Sequence, residues 1–88
     1  MNIKSYEIEH QSEQHRFILR KDANECVLDY EINSHADKPL IDFTHTYVPF
    51  GLRGQGLAEV LVAEGLAWAE AQGYKIEASC WYVRKFLK

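Results

Sequence analysis

Eighty-eight residues, 47% hydrophobic, 12% aromatic and 26% charged, describe one small globular domain over residues 1–88 with a single modest core, and exclude a disordered chain. The formal net charge of −3 offers no basic face for nucleic acid, and no apolar run approaches the length of a membrane span. The start, MNIKSYEIEH, lacks the apolar centre of a signal peptide, so the expected compartment is the cytoplasm and Cys26 and Cys80 are expected as reduced thiols. With no CxxC or HxxxH spacing, no metal site is expected.

In chain order, residues 3–8 read as a weak first strand. Residues 16–20 (RFILR) form a short apolar run before the turn-like KDAN. Residues 26–32 (CVLDYEI) follow, closed by NSHADKP. Residues 40–48 (LIDFTHTYV) are rich in β-branched and aromatic side chains and stop at Pro49. An antiparallel meander is the simplest arrangement of these strands. In the last of them Ile41, Phe43 and Tyr47 fall on one face and Val48 on the other, a mixture that suits an internal strand.

The period then changes. Ala58, Leu61, Val62, Gly65, Leu66 and Ala69 recur at helical spacing, with Glu59 and Glu70 off the stripe, so a helix is predicted over residues 57–72 and Gly73 is its stop. Residues 74–80 (YKIEASC) read as another strand and residues 81–88 as a short helix, with Arg84, Lys85 and Lys88 near its C-terminal end. A strand–helix–strand crossover predicts that residues 40–48 and 74–80 run parallel. The expected fold is α+β with a mixed sheet.

Between strand and helix lies VPFGLRGQGLA. Three glycines, Gly51, Gly54 and Gly56, fall within six residues beside Arg53. Glycine permits backbone angles and close approaches that a Cβ would block. A helix N-terminus exposes unpaired N–H groups that favour phosphate, and Arg53 adds a forked charged donor. A tight turn with a solvated arginine explains the same residues, and the glycines alone do not separate the two readings. Other glycine loops fit worse: no GK[ST] follows, nor is the GxGxxG order present.

The segment Arg53-Gly54-Gln55-Gly56-Leu57-Ala58 resembles the R/Q-x-x-G-x-G/A signature of the GNAT superfamily, the acetyl-CoA-dependent N-acetyltransferases. His45-Thr46, Val48-Pro49, RGQGLA and Cys80-Trp81-Tyr82-Val83 together resemble a small single-domain GNAT-like subfamily with HT-x-VP, RGxG(I/L)A and C-[PW]-[FY]-[VI] patterns, and Tyr30 falls where that subfamily often has tyrosine. The likeness spans residues 16–88. It implies a minimal GNAT-like sheet and acetyl-CoA (coenzyme A) as cofactor. The loop amides of Arg53, Gly54, Gln55, Gly56, Leu57 and Ala58 would take the pyrophosphate, and Thr46, Tyr47 and Val48 would lie beside the pantetheine arm. Two departures stand out. Tyr47 occupies a position where relatives usually carry Glu or Asp, and many relatives continue past the last helix. The chain also lacks room for the helices that usually build the acceptor site. The acceptor side is then either open or supplied by a second copy in a homodimer.

Cys80 falls at the predicted end of a strand, at the mouth of the presumed pocket. A cysteine is most often a small buried hydrophobe, but its place in CWYV makes it a candidate acyl acceptor, which would need a thiolate. His45 is a candidate base for Cys80 or for an amine, with a hydrogen-bonded structural histidine as the plainer account. Tyr82 is a candidate acid for a departing thiolate, a role the resemblance implies; packing with one hydrogen bond is its simpler explanation. Cys26, His10, His15 and His35 show no constellation around them. The basic end is an ordinary solvated face, or a place where one residue reaches a CoA phosphate. The leading expectation is an acetyl-CoA-dependent acyltransferase acting on an unidentified amine or thiol. A non-catalytic acyl-CoA-binding module and a purely structural domain are the alternatives.

Overall fold

The computed structural model describes residues 6–34 and 38–87. Among these residues five strands form one sheet in the order β1-β2-β3-β4-β5: β1 Glu7–Gln11, β2 Arg16–Lys21, β3 Asn24–Asn33, β4 Leu40–Tyr47 and β5 Lys75–Ala78. β1 to β4 are an antiparallel meander, and β5 joins β4 in parallel after the crossover helix α1, Leu57–Gln72. A four-residue helix α2, Trp81–Arg84, follows β5. The fold is α+β with a mixed sheet, as the residue periods predict. No helix among the described residues is long and apolar enough to cross a membrane.

The core lies between α1 and one face of the sheet. Phe17, Leu19, Leu28, Tyr30, Ile41 and Phe43 rise from β2, β3 and β4 against Leu57, Leu61, Val62 and Ala69 of α1. Each of the Leu, Ile, Val and Phe side chains among them contributes about 1.5–3 kcal/mol on burial. Gly65 lets the helix sit low on the sheet: a Cβ there would stand 2.7 Å from Leu28 Cδ2 and 3.2 Å from Phe43 Cε1. α1 ends in a Schellman arrangement, Tyr74 N–H donating to the Ala69 carbonyl and Gly73 N–H to that of Glu70.

Several boundaries differ from the sequence expectation. The first strand runs from Glu7 to Gln11 instead of over residues 3–8, of which 3–5 lie outside the described residues. Its register is set by pairing with β2, Gln11 opposite Arg16, across a 3-10 turn closed by His15 at φ 57. EIEHQ is a polar edge strand, so hydrophobic alternation could not mark it. β5 is shorter than residues 74–80 because Tyr74 caps α1, Ser79 is taken by a side chain of β4, and Cys80 begins α2. α2 stops at Arg84 and not at Lys88, and Lys88 lies outside the described residues.

The faces of β4 are also reassigned. Asp29 opposes His45 but Tyr30 opposes Phe43, so Thr44 is an extra residue, a β-bulge. Beyond it the alternation reverses: Thr46, opposite the buried Leu28, shares the core side with Ile41 and Phe43, while Tyr47 turns to the other face and is 50% exposed. No residue type in LIDFTHTYV signals that reversal.

Candidate functional site

β4 and β5 pair from Leu40–Lys75 to Phe43–Ala78 and then separate. One last backbone–backbone bond among the described residues crosses the gap, Cys80 N–H to the Phe43 carbonyl at 3.0 Å. Beyond it, among the described residues, the edge of β4 that faced β5 has no strand beside it. A cleft of about 490 Å³ opens there, lined by Thr44, His45, Thr46 and Val48 on one side and Ser79, Cys80, Trp81 and Tyr82 on the other, with Arg53 and Ala58 at its end. A second hollow of about 350 Å³ adjoins it through Val48, Arg53, Ala58 and Tyr82. It reaches Gly54, Gly56, Leu57 and Glu59 at the N-terminus of α1.

The structure therefore brings Cys80, His45 and Tyr82 into the cleft that also holds Thr46, Val48, Arg53 and Ala58, while Gly54, Gly56 and Leu57 belong to the adjoining hollow. Tyr47 and Gln55 line neither. Gln55 instead braces the loop, its Nε2 donating to the Gly51 carbonyl at 3.2 Å and its Oε1 accepting from Lys21 Nζ at 2.6 Å. Lys21 comes from the far end of β2, and nothing in the local sequence announces a cation beside the loop.

Gly54 and Gly56 have φ of 79° and 75°, angles that L side chains rarely adopt. Gly56 is the N-cap of α1, and among the described residues no side chain caps the helix. The first helical hydrogen bond runs from Val60 N–H to the Gly56 carbonyl at 3.3 Å, so the preceding amides have no partner within the helix. A Cβ on Gly54 would meet nothing within 4 Å, so open space lies beside that backbone. Arg53 is exposed, with Nε donating to the Val48 carbonyl at 3.0 Å, and no carboxylate among the described residues pairs with it. These features fit an anionic group such as a pyrophosphate. Glu59 opposes it: its carboxylate sits 3.3 Å from where a Gly56 Cβ would stand and lines the same hollow.

The two thiols differ. Cys26 is fully buried and burial pushes its pKa up, which keeps it an inert core residue. Cys80 is half-buried. Burial raises its pKa too, but hydrogen bonding from Thr46 and from the backbone N–H groups of Val83, Tyr82 and Thr46 outweighs it, and the thiol is held below its ordinary value. Thr46 Oγ1 lies 3.4 Å from Sγ and can donate to the thiolate. Tyr82 moves the opposite way, raised by burial and by the Glu59 charge, so it stays a protonated donor. His45 lines the cleft, but among the described residues no hydrogen bond joins it to Cys80.

His10 and His15, isolated in sequence, meet Tyr30 in space. His10 Nε2 and Tyr30 OH share a 2.6 Å hydrogen bond, and the His15 ring stacks on Tyr30 at 5.3 Å. His10 and Tyr30 both pack on Trp68, at the opposite end of α1 from the cleft. His35 is outside the described residues.

The chain is similar to Protein NATD1 of Gallus gallus, 31% identical over 84 residues that make up 93% of this chain and 74% of the relative. It is likewise 31% identical to Protein NATD1 of Mus musculus over 83 residues, 92% of this chain and 73% of the relative. The same identity holds for Protein NATD1 of Homo sapiens, with 92% and 71% covered. The sequence model described as GCN5-related N-acetyl-transferase matches residues 16–88, the stretch that carries the glycine loop, the splayed strands and Cys80. With that match over most of its length, this chain belongs to the GCN5-related N-acetyl-transferase family.

Proposed function

We propose that this protein is an acetyl-CoA-dependent acyltransferase that delivers an acetyl group to an amine or a small thiol, with Cys80 as the nucleophile that first receives it. The observation that supports this most is that the two hollows share Val48, Arg53, Ala58 and Tyr82 as lining. Space at the uncapped end of α1 thus lies next to space at a thiol whose neighbours favour its ionised form. Acetyl-CoA would supply the activated thioester. Arg53 and the amides at Gly54, Gly56, Leu57 and Ala58 would hold its phosphates, and the free edge of β4 at Thr46 and Val48 would lie along its arm. Thr46 steadies the Cys80 thiolate, and the Tyr82 hydroxyl is a protonated donor at the same cleft. His45 is the base within reach of an incoming acceptor. The cytoplasm is the compartment this reading expects.

Calorimetric titration with acetyl-CoA and CoA, followed by mass spectrometry of the protein, tests it. A thioester adduct that hydroxylamine removes is expected on Cys80. Cys80→Ser should lose the adduct yet bind CoA, whereas Cys26→Ser should keep it. A Cys80→Ala protein that acetylates an amine at the wild-type rate would rule out the covalent route and leave direct transfer. Tyr47, at a position where the resemblance implies a carboxylate, favours a second reading: a CoA-binding module without turnover, recognised by heat of binding with no acetylated product. Absence of any binding would leave the glycines with a turning role alone.

A further inference from the structure

The turn that carries Cys80 is held by a carboxylate outside the cleft. Asp42 on β4 accepts two hydrogen bonds from Ser79, the backbone N–H to Oδ1 and the hydroxyl to Oδ2, both 2.7 Å. They begin where strand pairing stops, one residue past Ala78. The next amide, Cys80 N–H, returns to the Phe43 carbonyl at 3.0 Å, and Cys80 Sγ meets Thr46. β4 thus grips the turn through three of its residues, and Arg84 closes it from the other side by donating to the Ala78 and Ser79 carbonyls.

Asp42 occupies an unfavourable place. It stands directly between Glu31 of β3 and Glu77 of β5 in the strand register, and the three line one acidic hollow. Like charges opposite one another in a sheet are destabilising. A neutral residue there would make the better sheet. What the carboxylate supplies that a neutral side chain cannot is a pair of charge-assisted acceptors for both donors of Ser79.

We propose that Asp42 is a positioning residue for Cys80: through Ser79 it fixes the turn that aims the thiol into the cleft and under the amides of Tyr82 and Val83. This rests on Cys80 being the reactive group named above. Its test needs no acyl-CoA, so the two ideas fail separately.

The measurement is the rate of iodoacetamide alkylation of Cys80 against pH, read by mass spectrometry on the full chain. The other titratable or charged groups around the thiol, His45 on β4, Arg53 in the loop, Glu59 on α1, and Tyr82 and Arg84 on α2, are kept in every variant. The sign of the shift separates position from field. Removing a negative charge near a thiolate favours ionisation, so by field alone Asp42→Ala would move the midpoint down. Loss of the clamp moves it up. We expect a rise of about one unit, read as several-fold slower alkylation at neutral pH, because the smaller thiolate fraction outweighs the greater nucleophilicity of a more basic thiolate. Ser79→Ala should give a smaller rise and Ser79→Thr, which keeps both donors, should restore the wild-type profile. Glu77→Gln removes a charge from the same row without touching Ser79 and should not raise the midpoint. An unchanged or lowered midpoint in folded Asp42→Ala overturns the proposal. Should that variant not fold, a wild-type profile in Ser79→Ala overturns it instead.

Discussion

The two ends of α1 are built on opposite principles. At its C-terminal end Trp68 packs against Phe17, Tyr30 and His10 and in turn against Tyr74, with ring centroids from 4.0 to 5.8 Å apart: His10 stacks flat on Phe17 at 4.0 Å and meets Trp68 edge-on at 4.5 Å. At the N-terminal end glycines replace side chains, the helix has no side-chain cap, and the sheet beneath splits between β4 and β5. One end excludes water with aromatic area; the other leaves backbone amides and a thiol facing it. A domain this small has little stability in reserve, and the aromatic packing at the closed end adds to the core that Leu57 and Leu61 anchor towards the other.

The largest expected effect comes from breaking the closed end. Phe17→Ala should lower the unfolding free energy by about 3–5 kcal/mol in denaturant melts, because it empties a fully buried site. The affinity of the remaining folded protein for acetyl-CoA should not change. A large loss of affinity in molecules that are still folded would mean the two ends are coupled. The reverse experiment acts on the open end. Gly56→Val should abolish the heat of acetyl-CoA binding while costing only about 1–2 kcal/mol of stability, the penalty of a left-handed φ for an L side chain. Wild-type affinity in a folded Gly56→Val protein would sink the phosphate role of the loop.

Two smaller effects sharpen the contrast. Burial lowers the pKa of His10 in the folded protein below its ordinary 6.5. The unfolded chain therefore takes up the proton first as pH falls. Stability should be full above about 6.5 and be lost progressively as pH drops through the lower folded value. His10→Phe, which keeps a ring against Phe17, should lack that dependence in pH-resolved melts. At the other end, Glu59→Gln should tighten acetyl-CoA binding by a few-fold at low salt, since it removes a carboxylate from the hollow meant for phosphate. Added salt should shrink that gain, because Glu59 is exposed and its field is screened.

The contrast was only half legible beforehand. The period of LAEVLVAEGLAWAEAQ marked α1 over residues 57–72, because a helix burying one stripe must repeat its apolar residues every three or four positions. The parallel partnership of β4 and β5 followed from the crossover alone. RGQG marked the loop because its glycines sit where the backbone takes positive φ. Each of these signals is local, written in residues that neighbour one another along the chain.

What the sequence could not give depends on residues distant from one another. The bulge at Thr44 exists because β3 and β4 must match on both sides of it, and it turns Tyr47 outward in a stretch whose alternation predicts the opposite. His10 and Tyr30 are twenty residues apart and become partners only through the β1–β2–β3 register. Asp42 and Ser79, separated by thirty-seven positions, meet because parallel pairing sets Phe43 beside Ala78. By itself the sequence determined α1, the strands that follow β1, their order and the glycine loop, since these follow from backbone preference and the spacing of apolar residues. Only the tertiary structure decided which side chains share the cleft and which carboxylate grips the turn at Cys80, because strand register, a long-range property, sets those distances.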